Sequence, residues 1–174
     1  QKAAIEGYRR RLSGPLLDRL DYHVVLPPVK VKALQSAEIG ESSAVVRERV
    51  ERVRAIQYDR FIKREVRSMT NAHLGQQDLE RVCALDDAGR KWMALAVERR
   101  GLSARAYGKV LRVARTLADM DGVTAIASRH VTEAIAGRVL DRDDVHEFLS
   151  SQQAASAAAA GTAFDSKAQL IAPA

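Results

Sequence analysis

The chain has 174 residues, with 28 Lys and Arg against 22 Asp and Glu, a net charge of +6 and a pI near 9.8. A 47% hydrophobic fraction, much of it alanine, with only 5% aromatics, favours a helical core of Leu, Val and Ile over a β-sandwich. The lone Cys83 excludes an internal disulfide and fits a reducing compartment; no apolar run approaches the roughly 20 residues of a membrane helix.

The N-terminus carries basic residues with no apolar stretch behind them and no initiator Met, which reads as an internal fragment of a longer cytoplasmic protein, without a signal peptide. Residues 2–12 are expected to form a short helix broken at Ser13-Gly14-Pro15, and Leu16–Leu20 is compact enough for one more turn. Tyr22–Leu26 is β-prone and Pro27-Pro28 ends it, so this strand is expected to belong to a sheet whose other strands lie elsewhere. Residues 1–30 are accordingly expected to pack poorly alone, and residues 31–42 read as a linker.

A helical domain is expected over 43–150. Ser42-Ser43 caps a helix running to about Lys63, with Val46, Val50, Val53, Ile56 or Gln57, and Phe61 at helical spacing. After an irregular stretch over 64–76 comes a short helix over 77–84. Asp86 then caps a helix over 87–99 whose inner face holds Trp92, Leu95 and Ala96, with Gly101 as its stop. Ser103 caps a helix over 104–119 with the stripe Tyr107, Val110, Leu111, Ala114 and Leu117. Ser128 caps another over 129–138, with Val131, Ala134 and Ile135 inward, and Asp141 or Asp143 starts a last short helix through Phe148 and Leu149. Residues 151–174, rich in Ala and Ser, form a low-complexity tail.

Two strings carry the chemistry. YRRRLSGPLLDRLDYHVVLP, residues 8–27, resembles the segment of magnesium-chelatase-like AAA+ ATPases of the ComM/YifB (competence protein) family that presents an arginine finger to a neighbouring subunit's ATP. The resemblance places the finger at Arg19, acting in trans. A guanidinium there offers a permanent charge and a planar fork to the γ-phosphate, and such fingers are worth roughly 10³–10⁵ in rate. A bare Leu-Asp-Arg reads instead as a surface pair of Arg19 with Asp18 or Asp21.

GLSARAYGKVLRVARTLADMDG, residues 101–122, resembles the family's sensor 2 helix, and the matching arginine is Arg105, beside the phosphates of its own subunit's ATP. Arg112 and Arg115 are expected on a solvated or interface face. Gly108-Lys109 stands where the family usually has a charged pair such as Asp-Arg. The helix over 40–61, the strings at 71–74 and 83–86, and the Arg-Val-Leu-Asp-Arg run at 138–142 extend the resemblance over residues 5–142.

The fold class implied is mainly α: an AAA+ C-terminal helical lid bundle preceded by a short remnant of the αβα ATPase core. The function implied is the lid and sensor part of a hexameric motor acting on DNA, with ATP and Mg²⁺ as cofactors of the full-length protein and no membrane partner. The chain has no GxxxxGK[ST] loop and no acidic Walker B strand, so it is expected to bind no nucleotide tightly and to hydrolyse none alone. His23, His73, His130 and His146 share no metal-ligand spacing. Two alternatives remain: the ATPase subunit of magnesium chelatase, and a stand-alone helical DNA-binding module in which the helices over 87–99 and 103–119 imitate a helix-turn-helix.

Overall fold

The computed structural model describes residues 14–24, 26, 29, 31, 35 and 40–138. The expected helix over 2–12, the short helix after Asp141 and the tail lie outside the described residues. The described part is mainly helical: α1 (Gly14–Leu17), α2 (Ser43–Ile62), a 3-10 turn (Asn71–His73), α3 (Gln76–Val82), α4 (Asp87–Arg100), α5 (Ala104–Met120) and α6 (Ser128–Ala136). No helix among these residues is long and apolar enough to cross a membrane.

Local chemistry sets most of the boundaries. The side chains of Ser42, Asp86 and Ser103 accept hydrogen bonds from the Val45, Gly89 and Ala106 amides at 3.4, 2.6 and 3.1 Å, each satisfying one orphan donor of a helix start. Gly101 closes α4 in the left-handed region at φ 60°, where a side chain would be strained, and its N–H bonds the Val97 carbonyl at 3.1 Å. α6 differs from the expected cap. Ser128 is its first helical residue, and the preceding Ala127 N–H donates to His130 Nδ1 at 3.0 Å. An imidazole reaching back from the third helical position does half the work of a capping box.

α5 is the hub. It packs against α6, α2, α3 and the 3-10 turn, while α4 lies against α6. Its Ala106, Val110, Ala114 and Ala118 are fully buried, and small side chains along one line let the neighbouring helices approach closely. Met93, Leu74, Val131 and Ala134 complete the core. The loops before α4 and α6 meet in an isolated parallel bridge between Leu85 and Ile126.

Two expectations about inward faces change, and one open choice is settled. Trp92 is 45% exposed; Met93 turns inward on α4 instead, beside Ala96 as expected, because the face that meets α6 runs through Gly89, where a Cβ would sit 3.4 Å from the Val131 side chain. On α2 the position left open between Ile56 and Gln57 falls to Gln57, which is buried while Ile56 is exposed. The valines of the N-terminal half of α2 do not join the core: Val45, Val46 and Val50 are exposed. Only the C-terminal half, through Gln57, Arg60 and Phe61, meets the bundle.

Residues 14–24 pack better than expected. Arg138, at the end of α6 and buried, donates to the Leu20 and Leu17 carbonyls at 2.8 and 3.4 Å. The His23 amide donates to the Gly137 carbonyl at 2.7 Å, and His23 is buried. The Tyr22 ring lies where a side chain at 137 would project, so only glycine fits there. Residues 22–24 and 26 pair with no strand among the described residues, and Val24, Leu26, Val29 and Val31 are exposed.

Candidate functional site

The site begins at the Gly101-Leu102-Ser103 corner. Leu102 is buried and anchors the turn, Ser103 starts α5, and Arg105 stands exposed in the first turn. The first turn of α5 contains no acidic residue. A helix N-terminus already carries a partial positive charge and prefers a carboxylate, so an arginine there works against the isolated helix by up to about 1 kcal/mol. Arg105 has no hydrogen-bond or ion-pair partner among the described residues. Charge, dipole and free backbone donors therefore converge on a surface suited to an anion.

The other cations of α5 are engaged elsewhere. Lys109 pairs with Asp21 at 2.7 Å. Arg112 donates through Nε and Nη2 to the Leu74 carbonyl at 3.1 and 2.7 Å. Arg115, 3% exposed, bonds the Thr124 and Val123 carbonyls at 2.5 and 2.7 Å and Asp119 at 3.1 Å. The expectation that Arg112 and Arg115 lie on a solvated or interface face is thus corrected. Arg115 is a buried strut and Arg112 a partly buried one, each satisfying loop carbonyls.

Around Asp119 a buried polar network joins three elements. Arg60 of α2 and Arg115 of α5 both donate to Oδ1, and Asn71 Nδ2 donates to Oδ2 at 2.8 Å. Asn71 also accepts from Arg60 Nη1 at 3.0 Å, donates through its side chain to Thr116 Oγ1 at 3.1 Å, and donates through its backbone N–H to Gln57 Oε1 at 3.2 Å. Two guanidinia on one carboxylate, with an amide closing the remaining valences, satisfy the buried charges. The network fixes α5, and hence the helix that carries Arg105, against α2.

Arg19 follows α1 and is exposed, and its Nη1 donates to the Pro15 carbonyl four residues back at 2.9 Å. Among the described residues neither Asp18 nor Asp21 pairs with it, since Asp21 is taken by Lys109. The structure brings the two motifs together through Asp21 and Lys109, the residue at which the chain departs from the usual Asp-Arg pair, and not through Arg19 and Arg105 themselves.

Three further groups are structural. Burial pushes the Cys83 thiol up to about 11, leaving it protonated and inert. The Nδ1 of His130 accepts from the Ala127 amide, so its proton sits on Nε2 and faces Asp121 Oδ2 at 3.0 Å. Arg129 Nε, 3.2 Å from that same Nε2, then finds no acceptor there and bonds Asp121 instead. Hydrogen bonds from His130 and then Arg129 hold the Asp121 carboxyl below the usual carboxylate range.

Beyond its first turn α5 is buried or partly covered along its length, up to the exposed Met120. What remains is a helical bundle with one exposed, unpartnered arginine at the mouth of its central helix, and a second exposed arginine on the segment clamped by α6.

These features agree with the family to which the sequence matches. Residues 40–138 match the model of the C-terminal part of the magnesium chelatase subunit ChlI, and the chain belongs to this magnesium-chelatase-like AAA+ family. It is 40% identical over 136 residues to the competence protein ComM of Haemophilus influenzae, covering 78% of this chain and 26% of the relative. It is 38% identical over 141 residues to YifB of Salmonella typhimurium, with 80% and 26% covered, and 36% identical over 140 residues to YifB of Escherichia coli, with the same shares. The chain spans about a quarter of the length of these relatives.

Proposed function

We propose that this chain is the lid and sensor part of an ATP-driven ring motor, in which Arg105 contacts the β- and γ-phosphates of its own subunit's ATP and Arg19 completes a neighbour's site. The observation that carries this reading is the isolation of Arg105. Of the four cations on α5 it alone lacks an internal partner among the described residues, and it stands where the helix dipole adds to its charge. An arginine held unpaired against its own helix's interest fits a role for an external anion. The 2.7 Å pair of Lys109 and Asp21 supports a functional link between the segment that carries Arg19 and the lid.

The phosphate cradle, the Mg²⁺ ligands and the hexameric ring belong to the longer protein in this reading, and the work is done on DNA in the cytoplasm. Likeness to a protein named for competence, at 40% identity, supports a DNA-handling motor in preference to magnesium insertion into a porphyrin. The excess of basic residues suits a polyanionic track.

Mixed rings of the full-length protein test the trans role of Arg19. Arg19→Ala should leave ATP binding nearly intact and remove most of the turnover, since a finger meets charge mainly as it develops. Combining Arg19→Ala subunits with subunits lacking the phosphate-loop lysine restores some sites with both a working cradle and a working finger. Activity above that of either parent supports the assignment. Rings that verifiably mix and recover none return Arg19 to its Pro15 contact as a structural residue.

A further inference from the structure

A cleft of about 300 Å³ opens between the outer half of α2, the 3-10 turn and the C-terminal end of α5. It lies at the small end of ligand pockets, room for a few side chains rather than a large cofactor. Its apolar surface comes from Val50, Val53, Ala72 and Met120, and Val50 and Met120 are about half exposed, at 51% and 53%.

The polar groups of the cleft are unevenly occupied. Arg49 on its rim is held by Glu41 in a two-pronged pair at 2.9 and 2.8 Å. Arg54, five residues further along α2, has no partner among the described residues. Gln57, only 5% exposed, accepts from the Asn71 backbone amide through its oxygen, while its side-chain nitrogen makes no hydrogen bond among the described residues and is open to solvent. No carboxylate lines the cleft among the described residues.

We propose that this cleft docks an acidic, apolar peptide segment of another protein. An apolar side chain of the peptide covers Val50, Val53 and Met120, a carboxylate one turn away pairs with Arg54, and a peptide carbonyl or carboxylate oxygen accepts from the Gln57 amide nitrogen. A nucleic-acid backbone matches the charge but leaves the apolar floor uncovered, and an apolar ligand leaves Arg54 and Gln57 unmatched. The site is independent of the nucleotide assignment, because it uses neither Arg19 nor Arg105.

Fluorescence anisotropy of a labelled ten-residue peptide of alternating Glu and Leu, titrated with the 174-residue chain, tests it. The expected result is saturable binding with a Kd below about 1 mM, weakened at least roughly tenfold by Arg54→Glu and by Val50→Glu. Both positions are exposed, so melting temperatures should not move, and Arg52→Glu should leave the affinity unchanged. Absence of saturable binding overturns the proposal, as does equal binding of a Lys/Leu peptide or an equal loss with Arg52→Glu. Oligothymidylate binding lost in Arg54→Glu reassigns the cleft to nucleic acid, and dimerisation lost in Val50→Glu reassigns it to a second copy of the chain.

Discussion

Lys109 Nζ lies 2.7 Å from Asp21 Oδ1, a contact between residues 88 apart in sequence that joins the segment carrying Arg19 to the helix carrying Arg105. Lys109 is largely covered while Asp21 is half exposed, so the pair contributes modestly to global stability, within about 1 kcal/mol. Its effect should be local. Lys109→Ala is expected to speed amide exchange at Tyr22 and His23 while leaving α5 protected, and hydrogen exchange measured residue by residue checks this. Unchanged exchange at 22 and 23 would mean that Arg138 alone holds the segment.

Asp119 is the most consequential single charge in the bundle. Asp119→Ala leaves Arg60 and Arg115 buried without their shared carboxylate, and the expected cost is about 3–5 kcal/mol, read by urea denaturation. A loss under about 1 kcal/mol would show that loop carbonyls alone satisfy the two guanidinia.

This network marks the limit of what the sequence disclosed. Helix starts were legible because Ser42, Asp86 and Ser103 are short side chains whose oxygens fit the first-turn amides, and Gly101 because only glycine accepts the left-handed turn cheaply. Arg105 was singled out only by its motif, and the structure adds its exposure. Arg112 and Arg115 were misread because a basic residue on an amphipathic helix is normally solvated. The available signal was Asp119 four residues after Arg115, on the flank of the Ala114–Ala118 line, but its partners Arg60 and Asn71 are distant in sequence. Trp92 was misplaced for a similar reason: hydrophobicity favours it, while close packing on α6 selects the face through Gly89 and Met93. The cleft beside α2 gave no warning at all, since its valines keep the helical spacing of a buried face.

The Cys83 thiol, pushed up to about 11 by burial, should react with a disulfide reagent at pH 8 far more slowly than a free cysteine, and at the ordinary rate in denaturant. Its raised value means that ionisation favours the unfolded chain, so stability should decline as pH rises from about 9 toward 11. Cys83→Ala should flatten that decline. A thiol that reacts rapidly in the native chain would contradict its burial.

Asp121 gives the opposite sign. Its carboxyl is held low by His130 and Arg129, so its contribution is present above the unfolded carboxylate value near 3.9 and is lost as pH falls below it. The difference in melting temperature between the wild type and Asp121→Asn should therefore shrink on acidification from pH 6 to pH 3. A difference independent of pH would place the effect of the substitution in packing alone.

The most direct test of the account is nucleotide binding by the full-length protein carrying Arg105→Ala, measured by calorimetry with ATP, ADP and AMP. Loss of a charge-assisted contact to the outer phosphates should weaken ATP by about 10–100-fold, ADP by less, and AMP not at all. Equal affinities of the wild type and Arg105→Ala for ATP would contradict the assignment of Arg105 as the lid's phosphate contact.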